Sequence, residues 1–267
     1  MNHGAHPAGL TTPAVAARLR AFTPARVGLG RAGVSQQTRD VLDFQLCHAQ
    51  ARDAVHSQID AAALQAAIAR ILPSTQPIAV VRLHSSAPDR ATYLQRPDLG
   101  RKLDDNSRQA LSRLDPASFD LALIVADGLS ALAVERHIPS LLSEFLPRLP
   151  HWKLAPVCIV EQGRVAIGDE IGSALRAELS LVLIGERPGL SSPDSLGAYI
   201  TWHPRPGRTD AERNCISNIR AEGLSYRDAA QQIANCLNTA RTRRLTGTAL
   251  TEPAPMLPQP TANSRQP

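Results

Sequence analysis

The chain has 267 residues, of which 43% are hydrophobic, 20% charged and 3% aromatic, and its formal net charge is +5. This length and composition are ordinary for a soluble globular protein with one large domain or two small ones. They argue against a membrane protein, because no run approaches the roughly 20 apolar residues of a membrane span. Scattered arginines and scarce aromatic residues also argue against a nucleic-acid partner.

The cysteines and the N-terminus indicate the cell compartment. The four cysteines (positions 47, 158, 215 and 236) show no C-x-x-C spacing. We therefore expect free thiols in a reducing cytoplasm rather than a disulfide framework. The N-terminal residues lack the charged and apolar regions of a secretory signal.

The chain divides into four predicted regions. Residues 1–20 are rich in Ala, Pro and Gly and are predicted to be a flexible tail. Residues 251–267 contain five prolines and almost no apolar bulk, which predicts a disordered tail. Between them we expect a helical region with one candidate strand at 21–98 and an α/β domain at 99–250.

Two helices are predicted in the region 21–98. Ser35 is placed to cap a helix over 38–56, whose apolar stripe consists of Val41, Phe44, His48, Ala51 and Val55. Asp60 is placed to cap a second helix that ends at Leu72, before Pro73. The other predicted elements of this region are a strand at 78–83 and a loop at 84–98.

The region 99–250 alternates between apolar runs and helical patterns. The runs are 119–128, 155–163, 179–186 and 196–202, and the helices are 130–149, 167–177 and 225–245. Strands that are apolar on both faces and alternate with helices are typical of a parallel sheet covered on both sides, with right-handed crossovers. We therefore predict an α/β fold with a Rossmann-like parallel sheet, preceded by an N-terminal helical segment.

Short motifs are weak in this chain. GLGRAG at 28–33 matches the dinucleotide-binding pattern G-x-G-x-x-G, which requires a strand directly before it. The preceding AFTPARV is a poor strand because it contains Pro24, so we favour a turn or loop. The eight histidines do not cluster with the spacing of metal ligands.

The loop-rich stretch 185–219 is the best candidate for a functional site. It contains four prolines and four glycines and follows an apolar run, and open α/β sheets bind ligands at the carboxyl ends of their strands. Glu186, directly after that run, is either half of a surface ion pair with Arg187 or a carboxylate that accepts hydrogen bonds from a ligand. Its position favours the ligand.

Cys215 and Asp127 each have two interpretations. Cys215 is a small buried side chain or a packing surface for a ligand. A nucleophilic role is disfavoured, because no activating base can be identified. Asp127 either caps the helix that follows it or contributes a polar group to a ligand crevice, and we weigh these two equally.

Several long motifs, in order and with matching spacing, carry a resemblance to a known family. They are RVGLGRAG, HAQARDAVH, RPDLGRKL, VADGLSALAVERH, PVCIVEQGRVAIGDEIG, LIGERPGLSSPDSLGAY and TDAERNCISNIRAEGLS. Over about residues 22–247 the chain resembles the small (light) subunit of ethanolamine ammonia-lyase, which depends on adenosylcobalamin.

The resemblance implies a role in a larger enzyme. The family's large subunit is a TIM barrel that holds ethanolamine, and the small subunit encloses the cobalamin between the two. Six large and six small subunits assemble, and a radical reaction converts ethanolamine to acetaldehyde and ammonia. The small subunit is expected to be inactive alone and to reside in a bacterial microcompartment or the cytoplasm.

The resemblance also implies the cofactor contacts. They fall on Val165 in the G-R-V motif, Glu186 in G-E-R-P-G and Cys215 in C-I-S-N-I, with no catalytic residue or metal ligand in this chain. The D-x-H-x-x-G signature is absent, so the resemblance implies base-on adenosylcobalamin. Two rival interpretations remain: a Rossmann-like nucleotide-binding module without a catalytic partner, in which GLGRAG should follow a strand, and a purely structural outer subunit.

Overall fold

A six-stranded β-sheet with helices on both faces organises the molecule. The computed structural model describes residues 13–23, 25–73, 78–114 and 117–250. The strands are β1 (Arg31–Ala32), β2 (Ser35–Gln36), β3 (Val80–His84), β4 (Phe119–Ala126), β5 (Val157–Glu161), β6 (Ala177–Gly185), β7 (Leu196–Trp202) and β8 (Arg213–Ile219). β1 and β2 form a separate two-stranded ladder, and the main sheet has the order β3-β5-β4-β6-β7-β8.

The sheet is mixed, which corrects the prediction of a wholly parallel sheet. β3, β5, β4 and β6 are parallel, whereas β7 is antiparallel to both of its neighbours. Parallel strands need a crossover of about a dozen or more residues. Only residues 186–195 separate β6 from β7, so the chain turns back on itself. The α/β class is confirmed, and the finer Rossmann-like description stays a prediction.

β8 falls inside the stretch that the sequence suggested was a loop. Its sequence RNCISNI is polar; only its end residues Arg213 and Ile219 are buried, and the side chains between them are partly or fully exposed. It is an edge strand with a neighbour on only one side. Such a strand does not need the continuous apolar run that marks β4 and β6, which explains why it was not predicted.

Eight helices pack around the strands in the described ranges. They are α1 (Pro13–Arg20), α2 (Thr38–His56), α3 (Ala61–Ile71), α4 (Arg90–Gln95), α5 (Asp105–Ser112), α6 (Ala131–Phe145), α7 (Ile167–Ala174) and α8 (Tyr226–Arg243). One apolar core contains side chains of α3, α6 and α8, and a second contains those of α5 and α7. Within these ranges, no helix is both long and apolar enough to cross a membrane.

The connections between strands open a crevice at one edge of the sheet. From β4 the chain passes through α6 to β5 on one side, and from β5 it passes through α7 to β6 on the other side. Right-handed crossovers in opposite directions place α6 and α7 on opposite faces. The carboxyl ends of β4, β5 and β6 therefore meet at a switch point, where open α/β sheets bind ligands.

Two predictions about local structure were wrong. Ser35 does not cap α2: it lies in β2, and the N-cap residue Gln37 makes no side-chain capping bond. The predicted loop at 84–98 contains α4, whose N-cap Asp89 accepts a hydrogen bond from the amide of Thr92. This helix has only six residues between two prolines, too few for an apolar period to stand out.

The predicted regions are only partly described. Residues 1–12 of the predicted N-terminal tail and all of the tail 251–267 lie outside the described residues, while 13–20 form α1. β3, from the region 21–98, pairs with β5 in the main sheet. The boundary between 21–98 and 99–250 stays a prediction.

Candidate functional site

A crevice of about 420 Å³ lies where the carboxyl ends of β4, β5 and β6 meet. We call it the carboxyl-edge crevice. Its lining combines strand-end glycines with charged and aromatic side chains: Tyr93, Gly128, Leu129, Arg164, Val165, Ile184, Gly185, Glu186, Arg187 and Tyr199. A more apolar groove lies at the amino-terminal edge of the sheet, but ligands of open α/β sheets bind at the carboxyl edge.

Two glycines let the ends of β4 and β6 approach each other. A Cβ on Gly185 would lie 2.1 Å from the Ser130 carbonyl oxygen, and a Cβ on Gly128 would lie 2.2 Å from the Gly185 oxygen. Gly128 also has a φ of +58°, which L side chains rarely adopt. The amide of Leu129 donates to the Gly185 oxygen at 2.9 Å. The floor of the crevice is therefore backbone that tolerates no side chain.

Asp127 joins the ends of β4 and β5. Its carboxylate is 1% exposed and accepts hydrogen bonds from the amides of Gln162 and Gly163, each at 3.0 Å. Burial raises the pKa of Asp127 to about 6, while the Gln162 amide, Arg90 and the Gly163 amide act in the opposite direction. Asp127 does not cap α6, because Ser130 does. It is a structural carboxylate beneath the crevice.

A buried tyrosine stacks with two arginines beside the crevice. The guanidinium carbons of Arg164 and Arg90 lie 4.3 Å and 4.8 Å from the ring centre of Tyr93. The Tyr93 hydroxyl donates to the Gly163 oxygen at 3.0 Å. Cation–π contacts of this kind contribute roughly 0.5–2 kcal/mol each. The stack thus fixes the loop after β5, which carries Arg164 and Val165.

Glu186 lies in the crevice with one carboxylate oxygen held and the other open. Oε2 accepts from the Ser195 hydroxyl at 2.7 Å and from the Asn218 amide at 3.1 Å. Oε1 receives no hydrogen bond from the described residues, and a Cβ on Gly197 would lie 3.0 Å from it. The side chain is therefore oriented by the protein while one acceptor remains for a ligand. No ion pair joins it to Arg187 in the described part of the chain.

Val165 also lines the crevice. It lies in the loop between β5 and α7. Its carbonyl accepts from the Gly168 amide at 3.1 Å. Its own amide has no acceptor among the described residues, and its side chain packs against the core formed by α5 and α7. Val165 thus lines the same crevice as Glu186, and its backbone amide is a donor without an acceptor among the described residues.

Cys215 is exposed and does not line the crevice, which excludes its interpretation as a small buried side chain and leaves the predicted ligand contact as a prediction. It pairs with Tyr199 in the β7–β8 ladder, and its sulfur lies 3.1 Å from the Ser217 hydroxyl. Burial and then a hydrogen bond with Cys215 raise the pKa of the Tyr199 hydroxyl. Tyr199 lines the crevice. The structure therefore brings Val165 and Glu186 together and connects Cys215 to them through Tyr199.

Sequence reasoning did not single out Tyr93, Arg164 or Tyr199. Arg164 directly precedes Val165 in the G-R-V motif, which was the strongest available signal for it. Tyr93 and Tyr199 are two of only three tyrosines in a chain poor in aromatic residues. Within the described ranges, no cluster of three His, Cys, Asp or Glu side chains is arranged to hold a metal ion.

Comparison with known proteins identifies the family. Residues 13–251 match the family of the ethanolamine ammonia-lyase light chain. The ethanolamine ammonia-lyase small subunit of Xanthomonas campestris pv. campestris is 53% identical over 258 residues, which cover 94% of this chain and 93% of the relative. The small subunits of Ralstonia nicotianae and Pseudomonas aeruginosa are each 54% identical, covering 88% of this chain and 87% and 86% of the relatives. The chain therefore belongs to the ethanolamine ammonia-lyase small-subunit family.

Proposed function

We propose that this chain is the small subunit of an adenosylcobalamin-dependent ethanolamine ammonia-lyase, and that its carboxyl-edge crevice binds one edge of the cobalamin. The observation that carries the proposal is the pairing of a free acceptor, Glu186 Oε1, with a free donor, the Val165 amide, in one crevice. The conversion of ethanolamine to acetaldehyde and ammonia belongs to the assembled enzyme.

The crevice fits the periphery of a corrin ring. Corrin carries amide side chains, each of which has N–H donors and a carbonyl acceptor. Glu186 accepts from such an N–H in a charge-assisted bond, and the Val165 amide donates to such a carbonyl. Cys215 extends the same surface through Tyr199 as a soft packing contact. Cobalamin is larger than this crevice, so a partner has to cover the rest of it.

The cofactor supplies the radical chemistry through homolysis of its cobalt–carbon bond, and the protein supplies binding and position. The chain contains no D-x-H-x-x-G histidine, so we propose base-on binding. Glu186 and Val165 orient the corrin edge, and the wall made by Tyr93 and Leu129 excludes water from that edge. No residue of this chain is assigned a catalytic step.

The partner that completes the site is the large catalytic subunit. The relatives are named small subunits, and we propose that this chain likewise assembles with a large TIM-barrel subunit, six of each, and is inactive alone. The exposed apolar side chains of α2 and of the segment that follows α1 supply a surface for that contact, and include Phe22, Leu42, Phe44 and Leu46. Residence in a microcompartment or in the cytoplasm stays a prediction.

The rival interpretation, a nucleotide-binding module without a partner, depends on GLGRAG at 28–33. The described residues before the motif, 21–23 and 25–27, contain no strand, and the next helix begins only at Thr38. A dinucleotide site needs a strand immediately before the glycines and a helix immediately after them. The motif therefore spans a loop and the short strand β1 instead of joining a strand to a helix, which favours the cobalamin proposal.

A titration of the assembled enzyme tests the proposal. The chain is purified with its large subunit, and binding of adenosylcobalamin is followed by its absorption spectrum. Glu186→Ala should weaken binding by about 1–3 kcal/mol, since it removes a charged hydrogen-bond acceptor. Glu178→Ala is the matched control, because Glu178 lies at the opposite end of β6 and is exposed. Unchanged affinity in Glu186→Ala would contradict the proposal and favour a purely structural subunit.

A further inference from the structure

A second cavity, of about 490 Å³, adjoins the carboxyl-edge crevice. The two share Arg164, Val165 and Tyr199. The remaining lining of the second cavity comes from the segment after α4, the residue before α7 and the segment before β8: Pro97, Arg101, Ala166, Arg208, Thr209 and Asp210. A ligand held against Glu186 and Val165 can therefore extend past Arg164 into this second cavity.

The guanidinium of Arg164 stands between the two cavities with an unused donor. Its Nε is buried and has no acceptor among the described residues. The only hydrogen bond of this guanidinium within the described ranges is a long one, which Nη2 donates to the backbone carbonyl oxygen of Tyr93 at 3.4 Å. Stacking on Tyr93 fixes the plane of the group. A guanidinium held in one plane is suited to binding an oxyanion with two donors at once.

The charge of Arg164 is not neutralised within the described part of the chain. The buried arginines among the described residues have carboxylate partners: Arg90 with Asp127, Arg213 with Asp169 and Arg220 with Glu222. Arg208, in the second cavity, is paired with Glu212. Arg164 forms no such pair, and a nearby positive group, Arg90, adds to the local potential. Arg164 is partly buried, and even partial burial of an unpaired charge is costly, so this site favours an anion.

The acidic residues that line the two cavities do not neutralise the charge of Arg164. Asp210 lies in the second cavity but points its Oδ1 at Arg213 Nε, at 3.3 Å, and is highly exposed. Glu186 is held by Ser195 and Asn218. Arg101, on the other side of the cavity, is exposed and contributes a second unpaired cation among the described residues. The second cavity therefore carries a net positive charge beside a fixed guanidinium.

We infer that the second cavity is an anion subsite in which Arg164, assisted by Arg101, binds the phosphodiester of the corrinoid's nucleotide tail. This inference rests on the proposed function, since it assigns the corrin edge to Glu186 and Val165 and the tail to the neighbouring cavity. The phosphodiester is the negatively charged group of cobalamin. Cobinamide, which lacks the nucleotide tail, also lacks this phosphodiester.

The test compares two corrinoids in the complex with the large subunit. Affinities for adenosylcobalamin and adenosylcobinamide are measured by spectroscopic titration in wild type and in Arg164→Gln. The variant should bind adenosylcobalamin about 10-fold or more weakly, as expected for loss of a charged hydrogen bond, and should bind adenosylcobinamide as the wild type does. Arg205→Gln, an exposed arginine of the neighbouring loop outside both cavities, is the matched control and should change neither affinity.

The outcomes separate this inference from the proposed function. If the wild-type complex binds neither corrinoid, both fail. If Arg164→Gln loses affinity equally for both corrinoids, or for neither, only the anion subsite is overturned. If Arg164→Gln fails to assemble with the large subunit, Arg101→Gln tests the anion subsite in its place. A loss of affinity for adenosylcobalamin alone supports the subsite. Binding of both corrinoids at wild-type affinity overturns it. Inorganic phosphate should compete with adenosylcobalamin and not with adenosylcobinamide.

Discussion

The N-terminal segment, residues 13–56, and the sheet region, residues 78–250, bury their apolar side chains very differently. Helix α2 has 19 residues and buries only Ala54, whereas α6 has 15 residues and buries eight. Among the described residues, every exposed large hydrophobic side chain lies between Val15 and Leu46. The sheet region builds its own core, and the N-terminal segment does not.

This difference in burial separates the region that forms the crevice from the segment that we expect to contact a partner. The crevice is formed by backbone and buried side chains of the sheet region, so its shape does not depend on a partner. Helix α2 is attached mainly at its end, where Arg90 Nε donates to the Val55 oxygen at 2.7 Å. Helices depend on packing of one face for stability in water. We therefore expect the segment to be stabilised by assembly, and the following substitutions test that contrast.

The largest expected effect comes from a glycine of the crevice floor. Gly185→Ala places a Cβ 2.1 Å from a backbone oxygen, and should lower the free energy of unfolding by about 3 kcal/mol or more. Gly33→Ala in the N-terminal segment meets open space at a φ of +65°, and should cost only about 1 kcal/mol. Urea denaturation measures both. Equal losses of unfolding free energy in the two variants would contradict the contrast between the sheet region and the N-terminal segment.

Removing a core side chain should have the next largest effect. Leu123→Ala empties a fully buried position in β4, and should destabilise the isolated chain by about 2–5 kcal/mol. Leu46→Ala in α2 removes a side chain that is 59% exposed, and should change stability by less than about 0.5 kcal/mol. Thermal unfolding followed by circular dichroism reports both. A large loss in Leu46→Ala would show that the segment has a core of its own.

Asp127 should show a smaller effect that depends on pH. Asp127→Asn replaces an acceptor of two amides by a group with one carbonyl, and should cost about 1–3 kcal/mol at pH 7. Because the native pKa of about 6 lies above the unfolded value of 3.8, the native state binds the extra proton between these values. The proton-linked part of the stability from this carboxyl is therefore full below pH 4 and is lost as the pH rises through 6, whereas its hydrogen bonds with the two amides remain at pH 7.

The measurement for Asp127 is the unfolding free energy of wild type minus that of Asp127→Asn, which has no carboxyl to titrate. This difference should decrease between pH 4 and pH 6. An increase over the same interval would mean that Arg90 and the amides of Gln162 and Gly163 outweigh burial.

Substitution of exposed apolar side chains in α2 should have the smallest effect on the stability of the isolated chain, but it should weaken assembly with the large subunit. Phe44→Ser and Leu46→Ser alter exposed side chains of α2, so the isolated chain should unfold as the wild type does. Both variants should weaken assembly with the large subunit, since apolar side chains dominate the centres of such interfaces. Co-purification at a series of concentrations measures this. Gln45→Ser, an exposed polar position of the same helix, is the control. Unchanged assembly in both variants would exclude this face as the contact.

The sequence predicted elements whose signals are local. Asp60 caps α3 by accepting from the amides of Ala62 and Ala63, as its position before an apolar period indicates. β7 spans Leu196–Trp202 as predicted, because it is a buried apolar run. Glu186 was placed at a strand end for the same reason. These features each depend on a few consecutive residues.

The missed features depend on residues that are distant in the chain. The stack of Arg90, Tyr93 and Arg164 joins α4 to the loop after β5, and neither segment has a pattern that indicates the other. β8 was missed because an edge strand with mostly exposed side chains resembles a polar loop. Exposure of α2 also could not be predicted, since an apolar stripe has the same period whether it faces a core or a partner.

The most direct test of the account is a structure of this chain with the large subunit and adenosylcobalamin. We predict that an amide of the corrin periphery lies within hydrogen-bond distance of Glu186 Oε1, and that another lies near the Val165 amide. A corrinoid bound away from the carboxyl ends of β4, β5 and β6, with Glu186 Oε1 facing only solvent or the partner, would contradict it.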